Sequence, residues 1–338
     1  MGMFTSFIGN INMYTGLLSV YLGAACLLWV SCPNKLRSIW YYVNVWVIFI
    51  ALITGRSDNA YLSLAAAFTF IPIYAFRTRQ GIRRYVVLLA TFLTSLKVIE
   101  WIATTYADRV YRIDSLYNSL VSFSKLILLI KVLWIIAIIL YLIDFISKKA
   151  DATVSPWFSR IWIGLIVIGF AAFLYVLYDV NIAGNADKYG SAKSFLLFND
   201  SWGTHRGVIW RLAIEDYQDF TPIHKLFGYG PDTFGLVTYY HNMDIMTNVY
   251  HQIFDSAHNE YLQFFITVGP IGLLSYLAIF VTAFIRIIKK GCQNPYVIAA
   301  MFGVLCYSAQ ATVNIGTPIT IPIMFLFLSM ALAGCREA

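Results

Sequence analysis

The chain has 338 residues, of which 59% are hydrophobic and only 12% are charged. Soluble domains carry about 25% charged residues, so this composition excludes a soluble globular protein and indicates a polytopic membrane protein. The net charge of +7 at pH 7 comes mainly from short loops between apolar runs, which argues against a nucleic-acid partner. The five cysteines are scattered, without the spacing of a metal site.

Nine apolar runs are long enough to cross a bilayer, which predicts an all-α protein with about nine transmembrane helices. The runs cover residues 14–30, 39–54, 59–76, 85–103, 120–146, 161–178, 259–285, 295–311 and 318–334. Their order predicts three parts of the chain. Residues 1–178 hold about six spans, residues 179–258 form one long outer loop with the site residues, and residues 259–338 hold about three spans.

Basic residues orient the predicted bundle. One set of alternate loops, together with the C-terminal tail, holds thirteen lysines and arginines, and the short loops on the other side hold three. The basic side is cytoplasmic by the positive-inside rule. This orientation puts Arg77 and Lys289 inside, and it puts Arg56 and the loop 179–258 outside.

The predicted outer loop is polar, with nine acidic and five basic residues. Its apolar spacing predicts a helix over Gly207–Tyr217, and its glycines and proline predict a turn at Gly228–Asp232. Asp255 and Ser256 are suitable N-caps for a helix that begins near His258. We therefore expect His258 in the first turn of the helix that leads into the seventh span.

Three sequence blocks of this region resemble one family. They read R-G-V-I-W from Arg206, F-G-Y-G-P-D-T-F from Phe227, and A-H-N-E-Y-L-Q from Ala257. Together they resemble the O-antigen ligase and Wzy-type polymerase family of bacterial membrane glycosyltransferases. Two upstream segments agree, namely G-N-I-N from Gly9 and T-G-R-S from Thr54, although the family has Ser before Arg in the second segment. Family members usually carry further membrane helices before the first of these segments.

The resemblance implies a fold and a reaction. It implies a GT-C-like fold in the plasma membrane, with the active site on the outer face. Such enzymes move a glycan from an undecaprenyl-pyrophosphate donor to a hydroxyl of a lipid-linked or cell-wall-linked glycan acceptor. They invert the anomeric centre, and they use neither a metal nor another cofactor.

Residue chemistry fits this reaction. The leaving pyrophosphate gains negative charge, and arginine binds phosphate oxygens through two parallel hydrogen bonds. Arg206 is the predicted catalytic arginine, with Arg56 and Arg211 as substrate-binding candidates. His258 is the predicted general base, because the pKa of histidine suits proton transfer near neutral pH and a helix N-terminus disfavours the protonated ring.

Several other polar residues have more than one interpretation. Asn259 and Glu260 are substrate-binding candidates that either orient the imidazole ring of His258 or bind sugar hydroxyls. Lys97 and Glu100 are three residues apart and are expected to pair on one helix face. Lys131 lies deeper in the fifth run, where we expect it to face protein and to pair with Glu100; the alternative is a charge that lines the donor cavity.

Two other functions stay open at the level of sequence. One is a flippase or transporter of polysaccharide precursors, since many spans and intramembrane charges also fit transport. The other is a truncated, inactive relative with a binding role. A long outer loop that carries a histidine and arginines favours the transferase.

Overall fold

A computed structural model describes residues 6–110, 113, 116–147, 152–290 and 294–335. These residues form α-helices and short helical turns, with a single isolated β-bridge between Thr78 and Thr153. The α-helices are α1 Ile11–Ser31, α2 Lys35–Thr54, α3 Asn59–Ala75, α4 Arg79–Thr105, α5 Leu116–Val121, α6 Leu126–Ser147, α7 Trp157–Asn181, α8 Lys193–Leu196, α9 Trp202–Gln218, α10 Pro222–Phe227, α11 Phe234–Asp244, α12 Glu260–Thr267, α13 Gly269–Lys289, α14 Pro295–Gln310 and α15 Ile321–Gly334. The predicted all-α class is confirmed.

Seven of the described helices are long and apolar enough to cross a membrane. They are α1, α2, α4, α6, α7, α13 and α14, the last with the short turn Ala311–Val313. The third and ninth predicted spans correspond to α3 and α15, which are apolar but only 17 and 14 residues long. The chain is therefore an all-helical polytopic membrane protein with seven candidate spans, and the count of nine stays a prediction.

Polar side chains define where several helices begin. The side-chain oxygen of Asn10 accepts hydrogen bonds from the first turn of α1. Asn34 does the same for α2, and Thr78 does so for α4. Each cap satisfies main-chain N–H groups that have no partner within their own helix.

Contacts divide the chain into two compact units. The first, the bundle unit, comprises Met1–Ile163, Ala283–Gln310 and Thr317–Ala338. The second, the loop unit, comprises Gly164–Thr282 and Ala311–Gly316. The predicted outer loop 179–258 falls wholly within the loop unit. The three-part division of the sequence stays a prediction.

The core of the bundle unit depends on a close helix crossing. A Cβ atom added at Gly23 of α1 would lie 2.2 Å from the carbonyl oxygen of Phe302 in α14. Only glycine allows this approach of the two backbones. The fully buried side chains of Leu22, Leu27 and Cys306 belong to the same core.

Two expectations about intramembrane charge have different outcomes. The pair of Lys97 and Glu100 is confirmed, with 2.6 Å between Nζ and Oε2. Lys131 is exposed, and in the part of the chain that the structure describes it makes no ion pair with Glu100. Lys131 lies only about 7.5 Å along α6 from Leu126, by the rise of a helix, so its long side chain can reach the membrane interface.

The seventh predicted span is not one continuous helix. The helix α12 ends at Thr267, and α13 begins at Gly269, which has a φ angle of +70°. A Cβ atom on Gly269 would lie 2.1 Å from the carbonyl oxygen of Leu226. Both facts require glycine at the break, and the apolar pattern of the run did not reveal it.

Four basic residues used for the predicted topology lie outside the described residues, namely Arg112, Lys148, Lys149 and Arg336.

Candidate functional site

The loop unit has its own hydrophobic core, which supports the candidate site. The core is formed by side chains of α9, α11, α12 and the segment before α12, namely Val208, Ile209, Leu212, Ala213, Phe220, Phe234, Val237, Met246, Phe254, Ala257 and Ile266. Arg206 lies one turn before this face of α9, and His258 directly follows Ala257. Packing of the core therefore fixes the backbone on both sides of the predicted catalytic pair.

Three hydrogen-bond acceptors hold the main chain around His258. The indole Nε1 of Trp210 donates to the carbonyl oxygen of Ala257 at 2.8 Å. The amide N–H of Ala257 donates to Oε1 of Gln263, also at 2.8 Å. The side chain of Asn259 caps α12 by accepting hydrogen bonds from the first two amides beyond Glu260. His258 is thus fixed from α9 and from α12.

The predicted position of His258 within a helix is wrong. The helix begins at Glu260 with Asn259 as its N-cap, so neither Asp255 nor Ser256 caps it. His258 precedes the cap and has a φ angle of +46°. The Asn259 side chain reaches the amides at the helix start because it directly precedes them, whereas Asp255 and Ser256 lie before the left-handed residue.

Burial and a neighbouring charge both act on the imidazole of His258. The Nδ1 atom is buried and has no hydrogen-bond partner among the described residues. Burial lowers the pKa of His258, and the positive charge of Arg206 lowers it further, against a smaller opposing effect of Asp255. Both effects favour the neutral form of the His258 imidazole. The helix dipole expected from the sequence is not the main cause.

Arg206 follows a left-handed turn of the backbone. Gly203, Thr204 and His205 have φ angles of 60°, 59° and 70°. The Nη1 atom of Arg206 donates to the carbonyl oxygen of Gly203 at 3.1 Å. Left-handed backbone is costly for residues other than glycine, above all for a β-branched threonine. The regular part of α9 therefore begins at Arg206, one residue before the predicted start at Gly207.

Arg211 is engaged by two carboxylates. Its Nη2 atom lies 2.8 Å from Asp200 Oδ2, and its Nη1 atom lies 3.0 Å from Glu215 Oε1. These two contacts, Asp200 first, raise the pKa of the guanidinium. Substrate binding by Arg211 stays a prediction, and it would require an anion to compete with both carboxylates.

Glu260 lies in a packed interior, with 2% of its surface exposed. Its Oε1 atom accepts a hydrogen bond from the hydroxyl of Tyr276 in α13. The ring of Tyr276 stacks on Phe264 of α12 with 4.2 Å between centroids. Glu260 thus connects the two helices on either side of the break at Gly269. A direct contact with sugar, predicted for Glu260 as for Asn259, stays a prediction.

Arg56 belongs to the bundle unit, where the two upstream segments, from Gly9 and from Thr54, meet. Asn12 Oδ1 accepts a hydrogen bond from Asn59 Nδ2 at 3.2 Å and one from Ser57 Oγ at 3.5 Å. Arg56 itself has a φ angle of 54° in the turn between α2 and α3. The segments from Gly9 and from Thr54 therefore form one structural feature, although 45 residues separate Asn12 from Ser57.

The Gly228–Asp232 segment forms the predicted turn, and the amides of Gly228 and Gly230 are hydrogen-bonded to main-chain carbonyl oxygens. The amide of Gly228 donates to His224 O at 2.8 Å, and that of Gly230 donates to Thr267 O at 2.7 Å. A Cβ atom on Gly228 would lie 2.2 Å from Thr267 O. The two glycines therefore allow the turn to pack on the end of α12.

Sequence reasoning did not find the backbone strain at the candidate site. Among the described residues, the non-glycine positions with positive φ are Ser6, Arg56, Thr204, His205, Asp232, His251 and His258. Arg56 and His258 are predicted site residues. Thr204 and His205 directly precede Arg206, which is a third predicted site residue. Gly203 is the only residue of the turn whose type signals this conformation.

No protein-family model, no curated protein and no solved structure matches the chain.

Proposed function

We propose that the chain is a membrane glycosyltransferase of the O-antigen ligase and polymerase type. It would move a glycan from an undecaprenyl-pyrophosphate donor to a sugar hydroxyl on the outer face of the plasma membrane. The observation that carries the proposal is the pairing of His258 and Arg206 in the loop unit. A half-buried imidazole lies close enough to a guanidinium for the positive charge to lower the pKa of the imidazole.

In this proposal His258 is the general base. The Nδ1 atom is buried, so Nε2 is the nitrogen that an acceptor hydroxyl can reach. Nε2 takes the hydroxyl proton while the acceptor oxygen forms a bond to the anomeric carbon of the donor glycan. The bond between that carbon and the pyrophosphate oxygen breaks, and its electron pair leaves with the pyrophosphate. A base in this position typically accelerates a reaction by about 10²–10⁴-fold.

Arg206 has the complementary role of stabilising the leaving group. Its fixed positive charge meets the negative charge that develops on the pyrophosphate. The same charge favours the neutral form of His258 before the reaction. Arg206 would therefore act both on the leaving group and on the base. Arg56 stays a donor contact that the sequence alone predicts. Strained backbone clusters at functional sites in proteins, and both Arg56 and His258 stand in such conformations.

A transfer assay in membrane vesicles tests the proposal against transport. Right-side-out vesicles with the chain receive carrier-linked oligosaccharide and a carrier-linked or lipid-linked acceptor, so that both substrates reach the outer face. Transfer changes the length or linkage of the glycan, whereas a flippase changes only the leaflet in which the donor lies. We expect new linkages with wild-type protein and none with His258→Ala. Movement of donor without new linkages in both proteins would support the transporter and contradict the transferase.

A further inference from the structure

A cluster of charges lies between α4 and α6 in the bundle unit. Arg79 Nε lies 3.1 Å from Asp144 Oδ1, and Arg83 Nη1 donates to Asp144 Oδ2. Arg84 Nη1 donates to two main-chain carbonyl oxygens at the end of α1. In the part of the chain that the structure describes, two guanidinium groups therefore meet one carboxylate, and a third binds only main-chain carbonyl oxygens.

The positive excess of this cluster is largely buried. Arg83 is 8% exposed and Arg84 is 7% exposed. Their Nε atoms are buried without a hydrogen-bond partner among the described residues. The cluster also lies at the start of α4, where the helix dipole adds positive potential. Buried charge without a counter-charge is costly, so an anion at this place would stabilise the fold.

An apolar cleft of about 360 Å³ adjoins the cluster. Its lining includes Val87 of α4 and Trp134, Ile138, Tyr141 and Phe145 of α6. Tyr141 is common to both features, because the guanidinium of Arg83 lies 4.1 Å from its ring centroid. From Trp134 to Phe145 the helix rises by about 16 Å, which is close to half of the ~30 Å hydrocarbon core. The cleft is therefore about one leaflet deep, with the charges at one end.

We propose that this site binds one anionic glycerophospholipid. The lipid phosphate meets Arg79, the most accessible of the three arginines, whose side chain is 30% exposed. An acyl chain lies in the cleft along α6. Arginine suits the phosphate because its planar group donates two parallel hydrogen bonds. Basic pockets between helices on the cytoplasmic side of a membrane recognise such headgroups. In the predicted topology, α4 begins on that side. The proposal does not depend on the transferase.

The charge requirement is tested by lipid retention. Purified full-length protein is exchanged into micelles with equal amounts of phosphatidylglycerol and phosphatidylcholine, and native mass spectrometry counts the bound lipids. We expect one retained phosphatidylglycerol for wild type. Arg79→Gln removes a charge-assisted contact and should weaken retention about tenfold. The matched control is Arg77→Gln, which removes an equal charge from an exposed side chain two residues away; retention should be unchanged.

The cleft is tested separately with a second matched pair. Ile138→Trp fills the cleft from an exposed position of its lining and should reduce retention several-fold. Ile139→Trp adds the same bulk at a neighbouring exposed residue outside the lining and should not. Glycerol phosphate without acyl chains should not displace the lipid. Equal retention of both lipids, equal losses within either pair, or a second copy of the chain in place of the lipid would overturn the proposal.

Discussion

At the scale of single residues, His258 combines a polar function with an unfavourable backbone conformation. Its φ angle of +46° lies in the left-handed region, which costs roughly 1–2 kcal/mol for residues other than glycine. The hydrogen bonds from Trp210 and to Gln263 act on the neighbouring Ala257 and hold this conformation. The loop unit therefore uses part of its stability to position one imidazole.

The proposed base role predicts how His258 variants behave. His258→Ala should reduce turnover by about 10²–10⁴-fold and leave donor binding nearly intact, because the leaving group meets Arg206. His258→Gln should not rescue turnover, since a glutamine amide forms hydrogen bonds but takes no proton at neutral pH. Single-turnover rates and donor titrations measure the two effects. Near wild-type transfer by His258→Gln would leave His258 only a structural role.

The lowered pKa of His258 predicts the acid side of the pH–rate profile. A base works in its deprotonated form, so turnover should hold as pH falls past the ordinary histidine value of about 6.5 and should decline only below it. Arg206→Gln removes one cause of the lowering, so the decline in its residual activity should move to higher pH. The measurement is kcat/KM against pH for both proteins, because kcat/KM reports the pKa values of the free enzyme. A decline at or above the ordinary value in wild type would contradict a base whose pKa is lowered by burial and by Arg206.

Arg206 offers a test of geometry rather than charge. Arg206→Lys keeps the charge but loses the planar group that binds two phosphate oxygens, so most of the turnover should be lost. Arg206→Ala should weaken donor binding as well. Arg160→Lys is the control, because Arg160 is an exposed arginine outside the predicted site. Equal losses for the two lysine variants would argue against a specific role of Arg206.

At the scale of elements, the contact between the Gly228 turn and the end of α12 sets the conformation beside the site. Gly228→Ala brings a Cβ atom within 2.2 Å of Thr267 O at a φ angle of +67°. We expect a loss of roughly 2–4 kcal/mol of stability from the clash and the strain together. Gly184→Ala is the control, since Gly184 has a similar φ of +77° but nothing within 4 Å, and should cost about 1 kcal/mol. Thermal unfolding in detergent measures the difference.

The sequence predicted these elements unevenly, for physical reasons. Each of the nine apolar runs contains a helix. An apolar segment within a membrane has no water to bind its main-chain groups, and a helix satisfies them internally. The break at Gly269 and the cap at Asn259 depend on contacts with Leu226 and with the first amides of α12. The hydrophobic pattern of the sequence does not encode such features, because they depend on contacts between separate segments or on local backbone geometry.

The candidate site was predictable as residue types but not as geometry. Arg206 and His258 are 52 positions apart in the sequence, and only the folded core of the loop unit brings their charges into range. The left-handed conformations of Thr204 and His205 have no signal in their residue types. Arg211 illustrates the converse, since its contact with Asp200 lies outside the predicted helix, although its pair with Glu215 follows from the i,i+4 spacing.

At the scale of the whole molecule, the distribution of basic residues predicts an orientation that labelling can test. Ser191 and Ser155 are exposed serines in the predicted outer loop and in a predicted inner loop. In a Cys292→Ser background, an impermeant thiol reagent should label Ser191→Cys in intact cells and Ser155→Cys only after lysis. The four described cysteines are buried and should add little background. The reverse pattern would invert the orientation and move the candidate site to the cytoplasm.

The break at Gly269 also has a consequence for the order of folding during synthesis. Ile266 belongs to the core of the loop unit, and Thr267 O accepts the hydrogen bond of Gly230. Residues 179–258 are therefore synthesised before the segment that completes their core. At about 5–20 residues per second, the remaining stretch as far as Thr267 takes on the order of a second. Throughout that interval the apolar faces of α9 and α11 stay uncovered, so a nascent chain stalled before Glu260 should be a preferred substrate for chaperones and proteases.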